Sequence, residues 1–416
     1  MWRYSAVNQS FSLCKTYARY LVVPSSFEDE DIIKGRSRRR LPVLTWLHPS
    51  TGAGLCRSSQ PMTGISFTTP LFSDDRLLHA IRETVEPPAD GGYPPVRRTV
   101  VLRIVDCRSM ISAKAHQMMG KGHEVIARLG GHEHASSTFL NIPNARTIQQ
   151  SFNELVGACC AQEDYSAWLP SPFFPSHLHT RDVFRHPQKL RWLEKISTLL
   201  KGASGVCTHL EAGDPVLVHC SDGWDRTPQL TSLAQLLIDP YYRTIEGFEV
   251  LVAKDWCSFG HRFATRGGYG RDRKSKVSPI FLQFLDATYQ LLRQFPTSFE
   301  FSESLLLLLV HAYHSRWFND FLEDNECERV AAYVRSTSNA AGSCFTVSVW
   351  SHVGYCRERY ENAFWNGEKI YPEKSAVDAK TAKTQAQSTV EGLGSLRRER
   401  ESLLLPLLPD YNVQSL

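Results

Sequence analysis

No stretch of this 416-residue chain is apolar for long enough to cross a bilayer: its longest apolar run, Leu305–Val310, falls far short of the ~18–20 residues required. The opening residues, MWRYSAVNQSFSLCKTYARY, contain no apolar core of the kind that marks a secretion signal. The eleven cysteines are odd in number, and no two are spaced as CxxC. A disulfide framework, a zinc ribbon and a FYVE-type zinc module are therefore not expected, and most of the thiols read as reduced core residues of a cytosolic protein. Charge of one sign is also scarce. A net charge of +4 gives no reason to expect a nucleic-acid partner, and no cofactor or metal site is expected. A membrane, if it is met, is met from the cytosolic side.

What is present is a soluble α/β pattern. Tyr20–Val23 and Leu41–Trp46 read as short strands. The acidic stretch Phe27–Ile33 leads into the basic run Lys34–Arg40, read as a solvated face or a contact with anionic lipid. Asp90–Pro95 marks a loop, and Val100–Val105 a buried strand entering Asp106-Cys-Arg108. Leu190, Leu193, Ile196 and Leu200 recur at helical spacing, which predicts an amphipathic helix over Pro187–Lys201. Pro215–His219 predicts a strand and Thr227–Ile238 a helix carrying Pro228 in its first turn. Ile280, Phe284, Ala287, Leu291 and Phe295 mark another helix. Residues 1–374 are expected to form the folded domain. From 375 onward the composition predicts a disordered tail.

The chemistry concentrates in Val218-His-Cys-Ser-Asp-Gly-Trp-Asp-Arg-Thr227, a Cys-x5-Arg-Thr sequence between an apolar strand and a helix. A cysteine attacks phosphorus as its thiolate, yet a free thiol with a pKa of about 8.5 is mostly protonated at neutral pH. A helix N-terminus and Arg226 beside Cys220 favour the anion. The intervening residues Ser221, Asp222, Gly223 and Trp224 let main-chain N–H groups turn inward as an anion cradle, with Gly223 supplying the backbone freedom. Arg226 closes it with a planar fork matched to phosphate, and the Thr227 hydroxyl can donate to the sulfur. Such a loop suits in-line phosphoryl transfer through a phosphocysteine, and Asp225 is the choice for the general acid.

The same string closely resembles the signature of the myotubularin phosphoinositide 3-phosphatases. Similar segments extend well beyond it: Leu41–Pro49 (LPVLTWLHP), Arg57–Pro61 (RSSQP), Ile238–Phe248, Lys254-Asp-Trp256, Phe259–Phe263 (FGHRF), Ser278–Leu285 and Gln294–Phe301, with Tyr17–Pro24 and Thr346–Trp350 nearer the ends. The resemblance covers roughly residues 12–372. It implies an enlarged tyrosine-phosphatase-like fold, a central mixed β-sheet flanked by helices. It also implies substrates of the phosphatidylinositol 3-phosphate and 3,5-bisphosphate type, and a general acid inside the loop, since no separate Trp-Pro-Asp loop is evident. Two headgroup-binding arginines of the family match Arg262 and Arg266, and an Asn-Ile pair matches Asn144 and Ala145. Peripheral association with endosomal-type membranes, and oligomers with itself or with other family members, belong to the same implication.

Some positions depart from the family pattern. Asp106-Cys-Arg-Ser109 replaces an Asp-Ala-Arg-Pro stretch, with Ser112 and His116 where asparagines would fall, and residues 161–186 read as an insertion or a divergent loop. The family's N-terminal lipid-binding module is expected to be absent, as are a carboxy-terminal FYVE finger and coiled coil. The four-residue separation of Arg262 and Arg266 predicts one helix face carrying both. His219 reads as a loop organiser, and Trp224 as packing beneath the loop or facing a membrane. Two other functions compete: a non-catalytic adaptor, disfavoured because Cys220, Asp225 and Arg226 are all present, and a tyrosine phosphatase, disfavoured by Asp222-Gly-Trp-Asp225.

Overall fold

Strand β7 (Val216–Cys220) is buried along its whole length. Its near-continuous apolar sequence suits a strand covered on both faces. Around it the computed structural model places β1 (Trp2–Ser5), β2 (Leu21–Pro24), β3 (Val43–Leu47), β4 (Gly54–Ser59), β5 (Leu102–Asp106) and β6 (Ala135–Phe139). The structure describes residues 2–34, 39–62, 73–85, 99–118, 121–160, 191–270, 276–338 and 347–366. β1 and β2 form a separate antiparallel pair, and the other five strands form one sheet in the order β3-β4-β7-β5-β6. Within it β4, β7, β5 and β6 run parallel, while β3 joins β4 antiparallel through a bulge between Leu44 and Trp46. The expected mixed sheet is thus present, and the described residues, all within 1–366, form one compact unit.

Successive side chains of a strand point to opposite faces, and β7 uses this to divide two cores. Val216 and Val218 enter the larger cluster with Leu230, Leu233, Trp256 and Phe284, whereas Leu217 enters the smaller one with Tyr17, Leu21, Phe27 and Ile104. The larger core is roofed by helices Arg191–Glu211, Arg226–Ile238, Ile280–Gln294 and Glu303–Ser315. Helix Arg191–Glu211 runs ten residues beyond the expected end at Lys201, because Ala203, Val206 and Leu210 prolong the buried stripe of Trp192, Ile196 and Leu199. Gly213, at φ +81°, stands where the chain turns toward β7. No helix among the described residues is long and apolar enough to cross a membrane. The insertion at 161–186, the start of the predicted 187–201 helix, the Asp90–Pro95 loop, the boundary at 374 and the tail lie outside the described residues.

Because four strands are parallel, their C-terminal ends share one edge of the sheet, and β7 delivers Cys220 there beside Ser59 of β4. Open α/β sheets bind ligands at that edge.

Candidate active site

Beyond Cys220 the chain makes a tight loop and enters the helix Arg226–Ile238. The turn depends on Gly223, which sits at φ +81°. A Cβ built there would lie 2.6 Å from the Ser58 carbonyl oxygen, so a side chain is excluded by both conformation and space. The Gly223 N–H in turn donates to Cys220 Sγ at 3.2 Å. Arg226 donates to Ile142 O (3.2 Å) and Ser221 Oγ (3.4 Å), which fastens the loop to the segment following β6.

Cys220 is 3% exposed. Burial opposes its thiolate, but the Arg226 charge, the Thr227 hydroxyl and the Gly223 N–H outweigh burial and hold the thiol below its ordinary pKa, against a smaller opposing effect of Asp225. Thr227 Oγ1 is buried with no oxygen or nitrogen partner among the described residues, which leaves its proton for the sulfur.

Asp225, in the same loop, is also perturbed. Burial raises its pKa, yet Arg266 and His261 overcome this and hold the carboxyl far below the usual range. Arg266 Nε donates to Oδ1 at 3.0 Å and its Nη2 to Oδ2, while Nη1 donates to Lys276 O at 2.6 Å. His261 Nδ1 donates to Trp224 O at 2.7 Å and lies 3.4 Å from Asp225 Oδ1.

Arg266 therefore faces the general-acid candidate, and Arg262 does not share a helix face with it. The local helix, Phe263–Arg266, is a single turn with Arg262 just ahead of it at ψ +65°. Arg262 instead pairs with Asp324 at 3.4 Å and lies over the Trp224 ring at 5.3 Å. Arg40 covers the same indole at 5.1 Å, so Trp224 is held between two guanidinium groups. Asp222 is partly exposed at the rim, 3.9 Å from Arg39. Asn144 is exposed, and its side chain accepts from Thr147 N (3.1 Å) at the start of helix Ala145–Cys160. Ala145 contributes its carbonyl, which accepts from Ser278 Oγ at 2.7 Å.

Several supporting residues were missed by sequence reasoning. Arg57, fully buried, donates to Gly223 O (3.1 Å) and pairs with Asp255 (2.7 Å). Asp255 also accepts from Thr45, Thr231, Gln235 and Lys254. Arg40, read above as part of a solvated or lipid-facing basic run, is 1% exposed and also donates to Gly223 O, at 3.0 Å. His219 organises the loop as expected: Nδ1 lies 3.2 Å from Cys220 O and Nε2 lies 3.1 Å from Glu124 Oε2. In the divergent segment Arg108 is locked bidentately to Asp106, Ser109 caps the helix Met110–Gln117, and His116 Nδ1 lies 3.2 Å from Arg108 Nη1.

A thiol depressed in pKa at a strand end, a Gly223 N–H turned onto its sulfur and a guanidinium at the following helix start make a cysteine-centred site suited to an anion in an α/β domain. A family model for the myotubularin-like phosphatase domain matches residues 1–330. Among curated proteins the chain is 38% identical over 380 residues to myotubularin of Rattus norvegicus and to that of Xenopus laevis, covering 89% of this chain and 57% of each relative. It is 36% identical over 380 residues to phosphatidylinositol-3,5-bisphosphate 3-phosphatase MTMR2 of Mus musculus, covering 89% of this chain and 53% of that protein. The chain belongs to the myotubularin-related phosphatase family. It spans little more than half the length of the curated relatives it matches.

Proposed function

We propose that this chain is a phosphoinositide phosphatase that removes the 3-phosphate of phosphatidylinositol 3-phosphate and its 3,5-bisphosphate. The observation that carries the reading is Cys220, buried at the end of β7 yet held toward its thiolate by Arg226, Thr227 and Gly223. In the proposed reaction the thiolate attacks phosphorus in line, and the P–O bond to the inositol ring breaks as the P–S bond forms. The proton on Asp225 passes to the leaving alkoxide. Water then attacks the phosphocysteine, Asp225 takes the proton of that water, and inorganic phosphate leaves with the thiolate restored.

Asp225 is ionised in the substrate-free arrangement, with Arg266 across it. Phosphate arriving beside it brings negative charge that raises its affinity for a proton, and a second ring phosphate competes for Arg266. Ser221, Asp222, Gly223 and Trp224 form the cradle wall, while Asn144 and Ala145 border it from the segment that Arg226 reaches. A lipid headgroup as substrate entails peripheral association with a membrane surface, proposed to be endosomal. Assembly with itself or with other family members is part of the same proposal.

The test is phosphate release from all seven phosphoinositides beside a phosphotyrosine peptide. Release confined to lipids carrying a 3-phosphate is expected. Lipid binding without release would establish the adaptor reading instead, and preference for the peptide would establish a tyrosine phosphatase.

A further inference from the structure

Two buried arginines converge on one carbonyl oxygen of the loop, but their electrostatic surroundings differ. Arg57 has Asp255 against it at 2.7 Å. Arg40 reaches neutral oxygens: Thr16 Oγ1 (3.1 Å) from Nε, Gly223 O (3.0 Å) and Phe259 O (2.8 Å) from Nη1, and Thr16 O (2.6 Å) and Gly260 O (3.1 Å) from Nη2. It also lies over the rings of Tyr17 at 5.2 Å and Trp224 at 5.1 Å. No carboxylate among the described residues pairs with it, although its neighbour Arg39 reaches Asp222. Burial pushes the Arg40 pKa down to about 10, so the group is still a cation at neutral pH.

A buried cation without a counter-ion is costly and is retained only where something offsets it. Among the ionisable groups that act on Arg40, Cys14 and Tyr17 come first, then Arg57 and Cys220. Tyr17 is driven well above its ordinary pKa by burial and remains neutral. Arg57 is itself a cation, and Cys14 is tied to Thr16 Oγ1 at 3.6 Å. Cys220, by contrast, is held toward its anion. The geometry of the clamp has a second effect. A peptide carbonyl and the N–H of the next residue point in opposite directions across the planar unit. Holding Gly223 O outward on Arg40 and Arg57 therefore turns the Trp224 N–H toward the inside of the cradle.

We propose that Arg40 is a positioning residue of the catalytic loop, its charge balanced first by the Cys220 thiolate and then by the phosphoryl group, its fork orienting the Gly223–Trp224 peptide. Of the functional reading, this needs only that Cys220 is the loop's anion. The test therefore does not depend on turnover.

The reactivity of Cys220 toward iodoacetamide is followed against pH by mass spectrometry of its peptide, in the wild type, Arg40→Gln and Arg40→Lys. Glutamine keeps a donor and drops the charge, whereas lysine keeps the charge and drops the fork. The glutamine variant should raise the alkylation midpoint by about one pH unit or more and at least halve the thermal stabilisation given by tungstate, a phosphate mimic. The lysine variant should keep the wild-type midpoint within a few tenths of a unit while losing roughly 10-fold or more in kcat/KM where turnover is seen. A folded glutamine variant with the wild-type midpoint overturns the proposal, as do equal shifts in both variants, which a merely structural role would give. Should the glutamine variant not fold, the lysine variant decides alone, and an upward shift of about a unit despite the retained charge refutes the inference. Loss of phosphatase activity in the wild type with these midpoints intact would count against the functional reading and leave Arg40 in its role.

Discussion

Replacing Arg266 with Met would leave Asp225, 9% exposed, facing an apolar side chain where a bidentate cation now stands. Orphaning one member of a buried ion pair costs about 3–5 kcal/mol when the remaining charge cannot escape. Asp225 can escape by taking up a proton, and this makes the cost depend on pH. In the wild type the folded pKa lies below the unfolded value near 3.9. The pair's contribution is therefore fully present above that value and is lost only as pH falls below it. In the variant burial dominates and the folded pKa rises. At 1.36 kcal/mol per unit, a penalty of about 3 kcal/mol corresponds to a rise of about 2 units, to roughly 6. The variant's stability should then fall as pH increases from about 4 to about 6 and level off above that. Urea denaturation of the wild type, Arg266→Met and Arg266→Met/Asp225→Asn at closely spaced pH values measures this. The gap between wild type and single variant should widen across that window, and the double variant should recover much of the loss at pH near 7.5 with a flat pH profile. A gap equal at pH 4.5 and 7.5, or a double variant no more stable than the single one, would refute the assignment of Arg266 as the group that holds Asp225 ionised.

Cys220→Ser should abolish turnover, since an alcohol is far less acidic than a thiol, while leaving the circular dichroism spectrum unchanged; turnover above a no-enzyme control would remove Cys220 from its role. Asp225→Ala should lower kcat by about 10²–10⁴ on a phosphoinositide but much less on an aryl phosphate, whose leaving group needs no proton. Equal losses on the two substrates would point to a structural role. Gly223→Ala places a Cβ against Ser58 O and forces a positive φ on a side-chain-bearing residue, so it should cost about 1–3 kcal/mol in thermal unfolding and weaken tungstate binding. A fully stable, tungstate-binding variant would show that the loop adopts another path.

The parts of the site legible in the sequence are those whose partners are neighbours in the chain. β7, the turn at Gly223 and the helix from Arg226 follow one another within a few residues, so spacing alone carries their meaning. Arg40 and Arg39 show what spacing cannot carry. They are adjacent residues in one basic run, yet Arg39 is 61% exposed at its side chain while Arg40 is buried against Gly223, far along the chain. Which of two successive arginines turns inward is decided by the path of the chain into β3, and no local pattern records it. Arg262 and Arg266 fail for a related reason. Four-residue spacing implies a shared face only if the helix is continuous, and here a π-helical stretch, Val252–Ser258, and a tight turn at Arg262, closed by Phe263 N donating to His261 O at 2.9 Å, precede a single helical turn. The buried Asp255, which gathers Arg57, Lys254, Gln235, Thr45 and Thr231, was hidden because every one of these partners except the adjacent Lys254 comes from another element of the chain.

The contacts of Thr16 bear on where this domain can be cut. The central sheet begins at Val43, and a fragment designed from its strands alone would start near Leu41. Such a fragment would keep every strand of the five-stranded sheet and the whole Cys-x5-Arg loop. It would nevertheless lose Arg40 itself, the two Thr16 oxygens that hold Arg40, and the Tyr17 hydroxyl that bridges Leu41 O and Arg57 O at 3.0 Å each. The first two dozen residues, with their own small β1–β2 ladder, are in this sense the outer wall of the Cys-x5-Arg loop, and expression boundaries, affinity tags or protease sites placed between Asn8 and Arg40 would act on Cys220 from behind.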